Sequence, residues 1–406
     1  MIWLQIRVLA AVIILALGVL AGRQGRATTS GAAMACNNSP DLCNRTYNNI
    51  THMGAHDSAF VRDASTGNSI AGNQYYNATI ALSAGIRLLQ AQVHLSSNKL
   101  RLCHTDCRIL DAGPLEDWLA HIKHWLDANP NEVVTLLLVN SNDQPASSFG
   151  AAFTRSGIEK YAYTPLSSSS SSSPNTSSSN PVTTWPTLRA LIGANTRLIT
   201  FIASLPTPPS QSYPYLLDEF SHVFETAYDV STTDPFSCAL DRPKNITTSS
   251  SSSSSPATQA IAAGLLPLVN HFAYLRITRD ASIPAAGGVD ATNSPSRTGA
   301  RALGRHVADC AAQWGGAGGK GNGGDGGNGG RVPVVFVLVD FYDRGPALAA
   351  ADEMNGITPM GRRKEPAVAA AAAGVRESRG WVYGMVWSVL GLVLFRDMFV
   401  FRWLWV

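Results

Sequence analysis

The sequence predicts an α/β fold with a parallel sheet, either open or closed into a barrel. Strand-like runs alternate with helical periodicities, and runs such as 132–140 and 332–340 are apolar on both faces, as strands between two layers are. His56, His104, Asn140, Asn270 and Asp340 each close such a run, so they fall at strand C-terminal ends. In an α/β barrel that end carries the active site.

The elements follow in order. Residues 50–56 form the first predicted strand. Residues 75–84 have helical spacing, with Tyr76, Ile80 and Leu82 inward, and Gly85 ends them as a C-cap glycine. Runs at 87–94 and 99–104 are predicted strands. Leu115, Trp118, Leu119, Ile122, Trp125 and Leu126 recur at three- and four-residue spacing, the mark of an amphipathic helix. Asp111 or Gly113 is placed to cap it, Pro114 suits its first turn, and Asn129-Pro130 stops it. The strand at 132–140 follows at once. Beyond it come a helix at 187–192, a strand at 197–203, a loop at 206–214 and a strand-like segment holding Glu225 and Thr226. A helix at 257–263, an apolar run at 265–272, a helix at 300–313, a strand at 332–340 and a helix at 347–354 complete the pattern. Serine-rich stretches at 167–179 and 249–255 and a glycine-rich one at 315–330 are predicted surface insertions. The glycines precede no lysine-serine pair, so they do not form a phosphate loop.

A net charge of +3 over 406 residues is too mild for a nucleic-acid partner. Residues 1–27 have the layout of a secretory signal peptide: Arg7, an apolar run at 8–20, then Ala21-Gly22. The run is short for a membrane span, although an uncleaved anchor is the alternative. The barrel domain is expected over 36–358. Residues 359–406 form a linker and a hydrophobic tail, open to three readings: a GPI signal, a membrane-associated tail or an incidental extension. A secreted or cell-surface protein is expected. Cys36, Cys43, Cys103, Cys107, Cys238 and Cys310 suggest three disulfides. Proximity favours Cys36–Cys43 and Cys103–Cys107, leaving Cys238–Cys310. No second cysteine/histidine pair stands at zinc spacing, so a metal knuckle at 103–107 is not expected. Sequons at Asn37, Asn44, Asn49, Asn77, Asn175 and Asn245 fit a glycoprotein.

The chemistry centres on residues 48–58, where His52, His56, Asp57 and Ser58 close a strand. His56 and His104 are expected to face each other across one pocket. Two such imidazoles can take and give protons around a phosphodiester near neutral pH. A carboxylate such as Asp340 would fix the tautomer of the base. His52, four residues earlier, is expected to be structural.

Gly54-Ala55-His56-Asp57-Ser58, Gly85-Ile86-Arg87, Leu102-Cys103-His104, Asn129-Pro130-Asn131-Glu132-Val133-Val134 and Val339-Asp340-Phe341-Tyr342 together resemble the PLC-like phosphodiesterases. This is the phosphatidylinositol-specific phospholipase C X-domain group, and the chain is most similar to its fungal secreted branch, over about 36–357. The resemblance implies a TIM-type (β/α)8 barrel, regular or distorted. It implies a phosphoric diester hydrolase whose substrate hydroxyl attacks to give a cyclic phosphate. His56 would be the base, His104 the acid, Asp57 the support of the acid and Asp340 the group orienting His56. Arg87, Gln90, Gln92, Asn140, Asn270 and Tyr342 are the implied substrate-binding set. Bacterial relatives carry Asp-x-Arg, and animal relatives acidic calcium ligands, where this chain has Gln90 and Gln92. Asn140 likewise stands where relatives place a charged residue. No cofactor is therefore expected, with calcium or magnesium as the alternative. An amide is a weaker partner for an oxyanion than a cation, and Arg87 and His94 are the nearest candidates to compensate. Arg87 could equally make a salt bridge outside the barrel. The expected partners are a phospholipid or glycolipid and a membrane surface, with oligomeric state open. A barrel that only binds inositol phosphate or a glycan, or a structural surface glycoprotein, are the other classes.

Overall fold

The computed structural model describes residues 34–165, 182, 184–206, 212–244, 254–278, 281–315 and 334–362. The signal peptide, most of the three insertions and nearly all of the 359–406 tail lie outside these residues. The strands are β1 (His52–Ala55), β2 (Leu88–Ser96), β3 (Lys99–Cys103), β4 (Asp111–Pro114), β5 (Val134–Asn140), β6 (Leu198–Ala203) and β7 (Leu216–Asp218), followed by β8 (Val223–Thr226), β9 (Leu240–Arg242), β10 (Leu266–Asn270), β11 (Tyr274–Arg276), β12 (Ser282–Pro284) and β13 (Phe336–Val339). The helices are α1 (Ala78–Ala84), α2 (Leu115–Ala128), α3 (Ala146–Ser156), α4 (Leu188–Gly193), α5 (Pro256–Ala262), α6 (Val289–Thr292), α7 (Leu303–Gly315) and α8 (Ala347–Asn355).

The hydrogen-bonded order is β7-β6-β5-β2-β1-β13-β10-β8-β9. The first strand pairs in parallel with both the second and the last, which curls the sheet back on itself. All pairs from β7 to β8 along this path are parallel. Only the join between β7 and β8 lacks a ladder among the described residues; a 3-10 turn at Glu219–Ser221 stands there instead. The fold is thus a TIM-like α/β barrel left open at one seam.

Strand composition explains the two layers. Along β5, Leu136 and Leu138 pack into the cluster beneath the helices, while Leu137 packs into the barrel interior. That is why the run is apolar on both faces. Gly54 on β1 points into the same interior: a Cβ there would stand 2.8 Å from Leu338 and Leu88 side-chain carbons. Helix α2 buries Leu115, Leu119, Ile122 and Leu126 at its expected spacing. The disulfides are Cys36–Cys43, Cys103–Cys107 and Cys238–Cys310.

Several local expectations change. Residues 111–114 pair with β3 as a short strand, so Pro114 is the N-cap of α2 and Asp111 caps nothing. Helix α1 starts at Ala78 under an Asn77 cap and buries Ala78, Ala81, Leu82 and Ala84; Tyr76 and Ile80 are only half buried. Strand β3 is not a barrel strand. It returns antiparallel to β2 through a two-residue turn, Ser97-Asn98, with both φ positive. Among the sequons, Asn37 is buried and its Oδ1 accepts from Val133 N, whereas Asn44, Asn49 and Asn77 are exposed.

Arg87 is the largest correction. It precedes β2, at the end of the barrel opposite Asn140, Asn270 and His56, and it contacts no other candidate site residue. Its guanidinium donates to Glu132 Oε2 (2.9 and 2.5 Å), Leu82 O and Ile86 O (2.7 Å each) and Asn38 Oδ1 (2.6 Å). It is the buried tie of the lower end, not a substrate ligand. Removing one partner of such a pair strands the other charge. Arg87→Ala should therefore lower stability by about 3–5 kcal/mol in urea unfolding.

Candidate active site

Strand β1 ends at Ala55, and the chain turns sharply at Asp57, whose φ is +47°. Gln90 holds this turn. Its Oε1 accepts from Asp57 N (2.6 Å), and its carbonyl accepts from Ser58 N (2.7 Å) and Ser58 Oγ (2.9 Å). The turn presents His56 beside Asp340, which follows β13 on the neighbouring strand. His56 Nδ1 lies 2.8 Å from Asp340 Oδ1. A carboxylate only accepts, so Nδ1 carries the proton and Nε2 is left as the basic atom. Phe272 stacks flat on the His56 ring at 3.6 Å, fixing its plane. Asn73 Nδ2 donates to Asp340 Oδ1 (3.1 Å), and Gln74 Nε2 donates to His56 O (2.7 Å) and Val339 O (3.1 Å).

His104 arrives by the hairpin. Strand β3 returns from beyond the barrel rim, and the loop closed by Cys103–Cys107 carries His104 at its start. Its backbone N–H donates to Leu110 O (3.0 Å), and Phe60 meets its ring edge-on at 5.3 Å. Asp57 joins the two histidines: its Oδ2 is 3.6 Å from His56 Nε2 and 3.5 Å from His104 Nε2. Gln92 Nε2 donates to that same oxygen (2.8 Å), while Gln92 Oε1 accepts from Thr105 N (2.9 Å). One amide therefore fastens the His104 loop to the Asp57 turn.

The electrostatics follow from burial among carboxylates. Burial opposes the charged ring of His56 most strongly. The charges of Asp57 and Asp340, the Asp340 hydrogen bond and the nearby Glu225 charge together outweigh it and hold His56 above the ordinary histidine value. His52 is the opposite case. Burial pulls it down to about 4, and its Nε2 lies 3.0 Å from Tyr47 O inside the barrel, a structural role. On the far wall Glu225 is gripped by Arg242 and by Asn270 Nδ2 (3.2 Å), which also donates to Thr226 O (2.9 Å). Glu219 beside it is pushed well above the carboxylate range, by burial first and then by the Glu225 charge.

His56, His104, Asp57, Asp340, Gln90 and Gln92 thus converge, and Asn270 lines the adjoining wall. Asn140 does not join them: its amide braces the following loop through Gln144 N (2.8 Å), Gln144 O (2.9 Å) and Ser204 O (3.3 Å). Tyr342 is buried in the cluster beneath the helices, with its backbone N–H on Gln74 Oε1. Asn73, Gln74, Phe60, Phe272, Glu225 and Arg242 build the site without having been singled out for it. Asn73 and Gln74 sit in an aperiodic loop, where no spacing marks them.

The family model described as PI-PLC X 1 matches residues 42–355. The PI-PLC X domain-containing protein 1 of Arthroderma benhamiae is 37% identical over 227 residues, 55% of this chain and 68% of that protein. An uncharacterized secreted protein of the same fungus is 30% identical over 335 residues, 80% of this chain and 65% of that protein. The chain thus spans about two thirds of each relative's length. Among solved structures, the phosphatidylinositol-specific phospholipase C of Listeria monocytogenes is 13% identical with a TM-score of 0.41, over 78% of this chain and 96% of that one. A mutant of the Staphylococcus aureus enzyme is 12% identical with a TM-score of 0.42, over 78% and 95%.

The Gln92 tie makes a local prediction. In Gln92→Ala the Thr105 amide loses its acceptor. Its hydrogen exchange should accelerate by about fivefold to tenfold, the worth of one neutral hydrogen bond, while amides of β5 stay protected.

Proposed function

Starting from a chain that belongs to the PI-PLC X family, we propose a phosphoric diester hydrolase that cleaves a lipid or glycolipid phosphodiester by paired histidine acid–base catalysis. The observation that carries this reading is the placing of both Nε2 atoms against one Asp57 oxygen, with Asp340 on the far nitrogen of His56. A phosphate bound over Asp57 has one imidazole on each side.

In this mechanism His56 Nε2 takes the proton of a substrate hydroxyl next to the phosphate. That oxygen attacks phosphorus and forms a cyclic phosphodiester. The bond to the lipid oxygen breaks, and His104 delivers a proton to the departing oxygen. Water can then reopen the ring, with the two histidines exchanging roles. Asp340 keeps the His56 proton on Nδ1 and steadies the imidazolium that forms. Asp57 stabilises positive charge on either ring.

The reading is metal-independent. Gln90 and Gln92 are neutral, and both are taken up in holding the Asp57 turn. Secretion fits residues 1–27 and the secreted relative, and the catalytic domain is proposed as 36–358. No described helix is long and apolar enough to cross a membrane. The neutral amide at Gln92 favours one second reading, a barrel that binds an inositol phosphate or glycan without cleaving it.

The test is release of water-soluble phosphate ester from phosphatidylinositol by the purified protein in the presence of a chelator. His56→Ala and His104→Ala should each lower the rate by about 10²–10⁴-fold. Equal rates in the wild type and both variants would contradict the catalytic reading, and loss of activity with chelator alone would contradict metal independence.

A further inference from the structure

His94 is a histidine beside the site that the proposed mechanism does not use. Side chains of β2 alternate between two layers. Leu89, Ala91 and Val93 pack beneath the helices, while Leu88 packs into the barrel interior. Gln90 and Gln92 continue the interior row, each bound to Asp57 through its side-chain amide. His94 is the next member of that row, one step nearer the mouth. Its cross-strand partner is Arg101, on the strand that leads into His104.

The His94 ring is half buried, but its Nε2 is fully covered. Among the described residues that nitrogen has no hydrogen-bond partner, and neither do two neighbouring buried atoms, His104 Nε2 and Asp57 Oδ1. Buried polar atoms are rarely left so, and a cluster of them marks a place for a polar ligand. The groups around the ring come from several elements. Asp57 comes from the turn after β1, and His104 and Asp106 from the disulfide loop. Arg101 comes from β3, where Asp111 pairs with it (2.8 Å). The loop after β5 brings Asn142, whose Oδ1 accepts from Leu95 N (2.8 Å), and Asp143, which is exposed. Burial above all holds the ring below the ordinary histidine value, against the pull of Asp106 and Asp57 and with the push of His104. The free ring is therefore neutral at neutral pH.

Charge decides the kind of ligand. Asp57, Asp340 and Glu225 surround His56 with negative charge. A phosphodiester anion entering there needs a cation or a strong donor. The guanidiniums that border the site are engaged: Arg242 by Glu225, Arg62 by Ile70 O (2.7 Å) and Gly72 O (3.1 Å), Arg108 by Asp106 (2.7 Å) and Arg276 by Asp229 (2.9 Å). Lys99 stands at the outer end of its hairpin, 3.9 Å from Glu116, with 63% of its side chain in water. His94 instead has a covered, unengaged nitrogen beside His104. We propose that His94 is a ligand of the substrate phosphate: the ring takes up a proton from water as the anion arrives, and its Nε2–H donates to a non-bridging oxygen. The proposal deepens the phosphodiester reading and rests on it.

A nearby anion favours the charged ring, so the titration midpoint of His94 rises on binding. Affinity is then greatest below the free midpoint and falls as pH rises toward the bound one.

The test uses the purified full chain and diethyl phosphate, a phosphodiester that stays a monoanion throughout a histidine titration. The His94 ring is followed by NMR. In the free protein it should titrate below about 6.5, and saturating diethyl phosphate should raise the midpoint by about one to three pH units. His94→Gln should weaken diethyl phosphate binding, and lower kcat/KM on a short-chain, monomeric phosphatidylinositol, each by about tenfold to a hundredfold, the worth of a charge-assisted hydrogen bond. In that variant His56 should still titrate above the ordinary value and His52 below it, which shows that the site is folded. His94→Arg should restore binding, and its advantage over the wild type should grow with pH, because arginine keeps its charge. A purely structural histidine gives no such pH-dependent rescue. An unmoved His94 midpoint would overturn the proposal, as would an arginine variant that binds no better than the glutamine one. Equal binding and cleavage by the wild type and His94→Gln would overturn it and leave the phosphodiester reading intact. Lack of cleavage by the wild type, with His94 still answering diethyl phosphate, would instead count against the catalytic reading and leave this contact standing.

Discussion

Two buried carboxylates hold the upper end of this barrel together through one imidazole. Asp340 and Asp57 meet His56 on its opposite nitrogens, and both are almost fully removed from water. Anions so placed are destabilising unless hydrogen bonds or a positive partner compensate them. Here the compensation is the His56 ring, the Asn73 amide on Asp340 and the Gln92 amide on Asp57. The same arrangement raises the proton affinity of His56. A group whose folded pKa is raised stabilises the fold fully below its unfolded value, near 6.5. That contribution is lost as pH rises through the folded value.

The topology makes this contact possible. His56 and Asp340 stand 284 residues apart, yet they extend neighbouring parallel strands because the first strand pairs with the last. His104 reaches the site differently, carried back by an antiparallel hairpin and fastened by Gln92 to the Asp57 turn. The two ends of the barrel divide their tasks. The Arg87–Glu132 pair and the Tyr47–Trp185 packing close the lower end, while the upper end keeps its ionisable groups around an opening.

The parts of this structure that repeat at short range were legible in the sequence. Doubly apolar strands, the α2 stripe and the close cysteine pairs each state their own partner or period. The His56 and His104 positions were legible because each closes a short apolar run. Other parts depend on contacts that no local pattern encodes. Three-residue strands such as β7, β9, β11 and β12 are too short to show alternation. Asp111-Ala112-Gly113-Pro114 has the chemistry of a helix start, yet pairing with β3 prevails over that preference. Arg87 looked available because nothing in the chain says which end of the barrel it occupies. Asn73 and Gln74 became site residues only once the loop after β1 folded over the ends of β1 and β13.

The central claim is that the carboxylates around His56 set its proton affinity. Titration of the His56 ring by NMR tests it most directly. In the wild type His56 should titrate above the ordinary value of about 6.5. Asp340→Asn removes one of the charges and the hydrogen bond that favour the proton, so the midpoint should fall, while His52 stays low, near 4. A His56 midpoint below about 6.5 in the wild type, or one that does not move in Asp340→Asn, would contradict the account.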